Sequence, residues 1–323
     1  MTDAKADAVF QRTTNIADRY IEAITAAVEQ SRRPSTRRAY SRAWARFERW
    51  ADAEGLQSLP SDPVTVAAYF AHRAAEGLSP ATLAMDRKAI SQHHRSRGHA
   101  NPTASEGVKL TLAGLRNQAF EEGRGEPRQA QGLTAAALDS IRATAWHPRT
   151  GPTGRRESVD AARRRAEVDI AIASVMRDAL LRRGEAAGLR WDAVEFWGDG
   201  SARVTIRRSK TTNGSALLYI GREAADDLRR IRPVDVCPRD RVFGFRCGRS
   251  ISNRIAAMAR AAGLGDGFSG HSPRIGMAQD LTAAGVGLPA IMVAGRWKSE
   301  RMPAYYSRGQ AAGRGAVARY YGE

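Results

Sequence analysis

The sequence of 323 residues predicts a mainly α-helical protein with a small antiparallel β-sheet, divided into two domains. Apolar residues recur at spacings of three and four over most of the chain, as they do on the buried face of a helix. After Gly188 this period gives way to three short stretches with strand character, separated by turn residues. Residues 121–132 carry glycine, proline and charge without an apolar anchor, so we expect them to link the two domains.

The first domain, residues 21–120, is predicted to be all-helical and to follow a polar tail at residues 1–20. Asp62 and Ser79 each precede a proline, and a capping side chain followed by a first-turn proline begins a helix. A glycine closes each of the two helices that start in this way. The four predicted helices begin at about Thr36, Pro63, Pro80 and Ser105.

The second domain, residues 133–323, is predicted to combine helices with the sheet. One helix begins at Leu133-Thr134, and a loop at residues 147–158 separates it from the next. Gly198-Asp199-Gly200 and Asn213-Gly214 mark the turns between the strands. The predicted strands are 193–197, 201–207 and 215–221, and the later helices are 222–231, 250–262, 273–284 and 288–294.

The charge of the chain favours a polyanionic partner. Lysine and arginine number 51 and aspartate and glutamate 34, which leaves a net charge of +17. Each phosphate that a basic side chain neutralises releases a counterion, and nearly all of the positive charge here is arginine, which grips phosphate and guanine with two donors. A basic protein without a specific partner is the alternative. No segment combines a basic face with Trp, Phe or Leu, which disfavours a membrane surface.

Cysteine usage and hydropathy indicate the compartment. Cys237 and Cys247 are the only cysteines, so the sequence contains no disulfide framework and no zinc-binding spacing. No apolar run approaches the length of a membrane span, and the first ten residues lack the apolar core of a signal peptide. We therefore expect a protein of the reducing cytoplasm, where DNA is the natural polyanion, although charge alone leaves RNA open.

Four features of the second domain carry side chains suited to phosphate chemistry. Each has an ordinary structural explanation when it is taken alone: an ion pair on a helix, an exposed hairpin lysine, a packed tryptophan, or tyrosines that dock a helix. The His-x-x-Arg step is the most specific, because the two side chains share a face at a helix start that already favours phosphate. The features are Arg182 with Glu185 at the expected end of a helix, Lys210 in a hairpin, His271 with Arg274, and Trp297 with Tyr305 and Tyr306.

Together these side chains form a set for phosphoryl transfer without a metal ion. The two arginine forks can bind the non-bridging oxygens and stabilise the charge of the pentavalent state. Tyrosine supplies a nucleophile that keeps the bond energy in a phosphotyrosine ester. Lysine can protonate the departing 5′ oxygen, and histidine can handle the tyrosine proton. Because no carboxylate cluster of the kind that Mg²⁺-dependent nucleases need is present, we expect neither a metal nor a cofactor.

The segment SGHSPRIG…AGVGLPAIMVAGRWKSERMPAYY resembles the catalytic core of the tyrosine recombinase (phage integrase) family, and within it the Cre-like recombinases. The resemblance extends upstream through LLRRGEAAGLRW and IRRSKT, and covers roughly residues 30–323. It implies that Tyr306 is the nucleophile, although Tyr305 is its direct neighbour. It also implies catalytic roles for Arg182, Lys210, His271, Arg274 and Trp297, with Glu185 as a supporting acid.

The resemblance further implies a helical, SAM-like core-binding domain and a mixed catalytic domain that close on DNA as a C-shaped clamp. The expected partner is double-stranded DNA with inverted-repeat half-sites, bound by two protomers per site and by a homotetramer when two sites are joined. The C-terminal tail, helped by Val317 and Tyr320, would dock on a neighbouring protomer or within its own chain. The candidate DNA-binding residues, each equally compatible with a solvated basic face, are Arg37, Arg38, Met85, Arg87, Lys88, Arg249 and Arg254.

Two other functions remain open from the sequence. A type IB topoisomerase shares the chemistry but only relaxes supercoils, and the Cre-like motifs and short C-terminus argue against it. A DNA-binding regulator that kept the fold without cutting is the second, and the complete catalytic set argues against that. The target sequence and the biological role, whether integration, excision or dimer resolution, are not encoded in these motifs.

Overall fold

The computed structural model describes residues 34–126, 129–151, 153–207 and 214–309 and a few single residues outside those ranges. The chain separates into two compact units, Met1–Arg128 and Gln129–Glu323. Lys210 and Val317 lie outside the described residues, and so do most of the predicted N-terminal tail and residues 310–319. No helix among the described residues is long and apolar enough to cross a membrane.

The first unit contains four α-helices in its described part, as the sequence predicts. The Asp62 carboxylate accepts hydrogen bonds from the backbone N–H groups of Val64 and Thr65, which begins the second helix. Ser79 caps the third helix in the same way. The helices are α1 (Pro34–Ala53), α2 (Pro63–Ala75), α3 (Pro80–Arg95) and α4 (Glu106–Glu121), with a 3₁₀ turn at Pro102–Ala104.

Aromatic and branched side chains fill the core of this unit. Phe47 on α1 is fully buried, and so are Tyr69 and Phe70 on α2 and Ile90 on α3. Helix α1 packs mainly on α3, and α2 on α4. The helical periodicity of the sequence therefore identifies the faces that are buried.

The second unit mixes eight described α-helices with one small sheet. Helix α6 lies at its centre and packs against α8 and α10. The elements are α5 (Ala135–Thr144), α6 (Val159–Asp178), α7 (Arg183–Gly188), a 3₁₀ turn at Trp191–Ala193, β1 (Val194–Phe196), β2 (Ala202–Ile206), β3 (Ala216–Ile220), α8 (Arg222–Ile231), α9 (Gly248–Ala261), α10 (Ser272–Ala283), α11 (Leu288–Gly295) and α12 (Arg301–Tyr306).

The sheet is antiparallel with the order β1-β2-β3, which confirms the predicted sheet. In register, Val194 faces Val204, and Ala202 faces Ile220. Val204 and Ile220 are buried in the large apolar cluster of this unit, so one face of the sheet covers the core. The predicted bounds of the three strands extend one residue beyond the observed ones at each end.

The end of α6 differs from the sequence prediction. Arg182 and Glu185 were expected at the end of a helix, but α6 ends at Asp178 and a separate short helix, α7, begins after Arg182. Leu180 adopts a positive φ of 44°, and this conformation breaks the helical path between the two. Leucine rarely adopts that backbone conformation, so the amino-acid sequence does not predict a break between α6 and α7 at this position.

Candidate active site

The candidate active site is centred on three arginines around one carboxylate in the second unit. Glu185 Oε1 accepts a hydrogen bond from Arg182 Nη1 at 2.8 Å, and Oε2 accepts one from Arg296 Nη2 at 2.8 Å. Oε2 also accepts the backbone N–H of Arg182 at 3.0 Å. We call Arg182, Arg274, Arg296 and Glu185 the arginine centre.

Arg274 is the most deeply buried member of the arginine centre, with 3% of its surface exposed. Its guanidinium donates to the carbonyl oxygens of Leu180 and Gly295 and lies over the Trp297 ring, 3.9 Å from the ring centroid. Burial, with further contributions from the charges of Arg182 and Arg296, lowers the pKa of Arg274 to about 9. The group therefore remains protonated at neutral pH.

Gly295 provides the space that this arrangement needs. A Cβ atom at position 295 would lie 1.8 Å from the six-membered ring of Trp297, so no other residue fits without moving the indole. The ring is thereby fixed between Gly295 and the Arg274 guanidinium. Its N–H can serve as a hydrogen-bond donor but cannot shuttle a proton.

Tyr306 completes this line of contacts. Its ring centroid lies 6.1 Å from that of Trp297 in an edge-to-face arrangement, and 6.4 Å from that of Tyr305. Burial raises the pKa of the Tyr306 phenol, and the positive charges of Arg274 and Arg182 oppose the rise. A neutral phenol at physiological pH requires removal of its proton as it attacks.

The backbone after Tyr306 is fixed to the body of the unit. The Tyr306 carbonyl accepts a hydrogen bond from the Gln279 side chain at 3.1 Å, and the buried Ser307 hydroxyl donates to the Ala278 carbonyl at 3.2 Å. Both partners lie on α10, the helix that carries Arg274. The same helix therefore positions the arginine and the C-terminal end of the tyrosine-bearing helix α12.

Tyr305 occupies a different environment from Tyr306. The guanidinium of Arg308 lies over the Tyr305 ring, 4.8 Å from its centroid. The Tyr306 ring instead packs against Trp297. The positive charges of Arg274 and Arg182, two members of the arginine centre, act on the Tyr306 phenol and favour a lower pKa. The Tyr306 ring therefore adjoins Trp297 and the positive charges of the arginine centre.

The remaining predicted catalytic residues are placed less directly. His271 lies at the N-cap of α10 with an exposed side chain, three residues before Arg274. Lys210 is among the residues that are not described, so its role remains a prediction from the sequence. Within the described ranges, no three side chains of His, Cys, Asp or Glu come together as potential metal ligands.

Arg296 belongs to the arginine centre although the sequence interpretation did not single it out. It follows α11 in a left-handed conformation with φ of 56°, a position that glycine usually takes at the end of a helix. The sequence does not distinguish Arg296 from the many other arginines of the chain, even though it directly precedes Trp297.

The predicted DNA-binding residues fall into two groups. Arg254 pairs inside the unit, where its Nη2 lies 2.5 Å from Asp169 Oδ1, and Arg149 and Arg165 also pair with this buried carboxylate. This cluster fixes the loop at residues 147–158 to α6. The other six candidates have exposed side chains on helix surfaces: Arg37, Arg38, Met85, Arg87, Lys88 and Arg249.

Comparison with known proteins identifies two family models in the chain. The N-terminal SAM-like domain of phage integrases matches residues 17–96, and the phage integrase family model matches residues 157–312. The chain is 23% identical over 309 residues to the recombinase Cre of Escherichia phage P1, covering 86% of this chain and 84% of that protein.

Solved structures share the fold at low sequence identity. The Tn1549 transposon integrase in complex with transposon right-end DNA has a TM-score of 0.58 at 13% identity, covering 90% of this chain and 97% of that one. A lambda integrase dimer bound to a core site has a TM-score of 0.56 at 17% identity, covering 90% and 93%. XerH bound to palindromic difH substrate has a TM-score of 0.56 at 15% identity, covering 81% and 73%.

Proposed function

This chain belongs to the phage integrase family of tyrosine recombinases, and on that premise we propose that Tyr306 is the residue that joins it to DNA. The observation that carries the proposal is the line of contacts from the Arg274 guanidinium over Trp297 to the Tyr306 ring. It links a buried guanidinium to a phenol through one aromatic ring, which supports a site for phosphoryl transfer. The predicted activity is site-specific cleavage and rejoining of double-stranded DNA.

The proposed cleavage step is an in-line displacement at phosphorus. The Tyr306 oxygen attacks the scissile phosphate, the bond from phosphorus to the 5′ oxygen breaks, and a 3′-phosphotyrosine forms. The tyrosine proton passes to His271, and Lys210 gives a proton to the departing 5′ oxygen. Attack of a 5′-hydroxyl from the other duplex reverses the step, and two such exchanges pass through a Holliday junction.

The arginine centre would stabilise the charge of the pentavalent state. Arg182 and Arg274 donate to the non-bridging oxygens, and the Trp297 N–H is a further donor. Glu185 is not a base in this scheme, because both of its oxygens already accept hydrogen bonds from arginine. Its role is to hold Arg182.

The proposed substrate is DNA with two inverted half-sites. The XerH structure contains a palindromic substrate and the lambda integrase structure is a dimer on a core site, which supports two protomers per site here. A tetramer would then join two sites, and the C-terminal tail would link protomers. Exposed Arg37, Arg38, Met85, Arg87, Lys88 and Arg249 are the proposed DNA contacts, and the cytoplasm is the proposed compartment.

A plasmid assay separates this function from its two rivals. The protein is incubated with supercoiled plasmids that carry or lack the inverted repeat flanking its gene. We expect recombinant products and a covalent protein–DNA adduct only with the repeat. Relaxation of both plasmids would indicate a topoisomerase, and specific binding without any adduct would indicate a regulator.

A further inference from the structure

Two residues of the described chain other than glycine have a positive φ, and both lie at the arginine centre. They are Leu180, at 44°, and Arg296, at 56°. A residue with a Cβ atom adopts this conformation at a cost in free energy that glycine does not incur. Such residues persist where the surroundings hold them, and they concentrate at functional sites.

The two strained residues are in direct contact, because the Arg296 side chain binds the Leu180 backbone. Its Nη2 donates to the Leu180 carbonyl at 3.3 Å and to Glu185 Oε2 at 2.8 Å. Its own carbonyl accepts a hydrogen bond from Arg182 Nη2 at 3.4 Å. Arg296 therefore connects the break after α6, the carboxylate at the start of α7 and the first catalytic arginine.

We propose that Arg296 is a positioning residue for Arg182, and that it acts by sharing the Glu185 carboxylate. With Arg296 present, the Arg182 side chain donates to Glu185 Oε1, and the Arg296 side chain donates to Glu185 Oε2. Without Arg296, Glu185 Oε2 would keep the backbone N–H of Arg182 and could accept a second hydrogen bond from the Arg182 guanidinium. A bidentate ion pair would then form, and it would draw the Arg182 guanidinium toward the carboxylate and away from the phosphate.

A direct contact between Arg296 and the phosphate is the main alternative. The Arg296 side chain is only 8% exposed and its guanidinium faces Glu185 and Leu180. Arg274, by contrast, adjoins Trp297, the residue next to the Tyr306 ring. The geometry thus places Arg296 behind the reacting groups. This inference rests on the proposed function, since it concerns the same cleavage step.

The test is the single-turnover rate of adduct formation by Arg296→Gly on a nicked substrate that traps the phosphotyrosine. Glycine removes the guanidinium and suits the backbone conformation, so we expect Tm to be unchanged or raised. Loss of the outer groups that orient metal ligands typically costs about 10–100-fold in activity, and we expect a comparable range for a group that orients an arginine. We expect a fall of that size in the rate at saturating DNA, with the half-saturating DNA concentration changed by less than about twofold.

Two further variants distinguish positioning from a general structural role. Arg296→Lys retains one charged donor and should react at an intermediate rate. Combined with Glu185→Gln, the Arg296→Gly change should add little further loss, because both act through the same carboxylate. Arg239→Gly, which removes an exposed turn arginine of the same unit, is the matched control and should react like the wild type.

The outcomes are separable from those of the proposed function. If the wild-type protein forms the adduct and Arg296→Gly reacts within about twofold of it, the positioning role is wrong and the proposed function stands. Multiplicative losses in the double variant, or a lowered Tm that accounts for the loss, would also overturn it. If the wild-type protein forms no adduct, the proposed function fails and the inference fails with it.

Discussion

The two units each bury arginines against a carboxylate, but they balance the charges differently. In the first unit, fully buried Asp86 pairs with Arg46 at 2.8 Å and with Arg73 at 3.6 Å. Arg73 also pairs with Glu76, so two arginines face two carboxylates. We call these four residues the Asp86 cluster. Tyr69 adds a hydrogen bond to Asp86 at 3.3 Å.

The arginine centre of the second unit contains three arginines and a single carboxylate. Burial lowers the pKa of Arg296 as it does that of Arg274, and the positive charge of Arg182 acts in the same direction on both. The Asp86 cluster contains one carboxylate for each arginine, whereas under the proposed function a DNA phosphate would add negative charge to the arginine centre. The two sites therefore differ in charge balance, but Asp169, which also pairs with three arginines, shows that an excess of arginine does not by itself define a phosphate site.

The largest expected effect separates charge stabilisation from proton donation within the active site. Lys210→Ala should slow cleavage by about 10²–10⁴, the usual contribution of a general acid. Arg274→Ala should slow it by at least about 10², because it removes donors to developing charge. The measurement is repeated with a substrate whose bridging 5′ oxygen is replaced by sulfur, a leaving group that needs no proton. This substrate should rescue only the lysine variant, and equal rescue of both would show that Lys210 is not the acid.

The next effect concerns the stability of the Asp86 cluster. Asp86→Asn leaves Arg46 and Arg73 without their shared buried charge, which should lower the free energy of unfolding of the first unit by about 3 kcal/mol. Asp52→Asn changes an exposed carboxylate on α1 and should stay within about 0.5 kcal/mol of the wild type. Amide hydrogen exchange of peptides from α1–α4 reports both values. Similar protection in the two variants would contradict a structural role for the cluster.

A smaller effect follows from two histidines of the first unit. His93 stacks on Trp44 with ring centroids 3.7 Å apart, and burial lowers its pKa to about 4. Burial also lowers the pKa of His94, whose Nε2 accepts the Ser61 N–H. Below about pH 6.5 the unfolded chain binds protons that the native unit does not, so native stability falls as the pH drops toward 4.

The pH dependence is measured by hydrogen exchange of the same peptides between pH 7 and pH 5, corrected for intrinsic exchange. His93→Phe keeps an aromatic ring on Trp44 without a titrating group and should flatten the dependence. His147→Gln, at an exposed position of the second unit, should leave it unchanged. Unchanged stability of the wild-type unit across this range would refute the assignment.

Much of the fold was predictable because a few neighbouring residues determine where a helix begins. Asp62-Pro63 and Ser79-Pro80 specify caps by side-chain chemistry, and the period of buried residues identifies the faces of the long helices. The short helices α7 and α12 were not predicted, because six residues are too few to display a period. The order of strands followed from the turn residues between them.

The site was predictable in its residue types and not in its full geometry. Complementary chemistry selected a set of five residues, Arg182, Lys210, His271, Arg274 and Tyr306, and the family resemblance added roles for Glu185 and Trp297. Among the described residues, the structure brings together Arg182, Glu185, Arg274, Trp297 and Tyr306. Arg296 escaped detection because its importance depends on a backbone angle and on the position of Glu185, neither of which a sequence displays. Arg254 was a candidate DNA contact because of its place at the start of a helix, and the structure shows that its guanidinium pairs with Asp169.

The central claim is that Tyr306 is the residue that becomes joined to DNA. The most direct test is to trap the wild-type adduct on a nicked substrate, digest it, and identify by mass spectrometry the tyrosine that carries the nucleotide. Tyr305→Phe and Tyr306→Phe are matched controls that each remove one hydroxyl. We expect the nucleotide on Tyr306, an adduct from Tyr305→Phe, and none from Tyr306→Phe, which should still bind DNA. A nucleotide on Tyr305, or an adduct from Tyr306→Phe, would contradict the account.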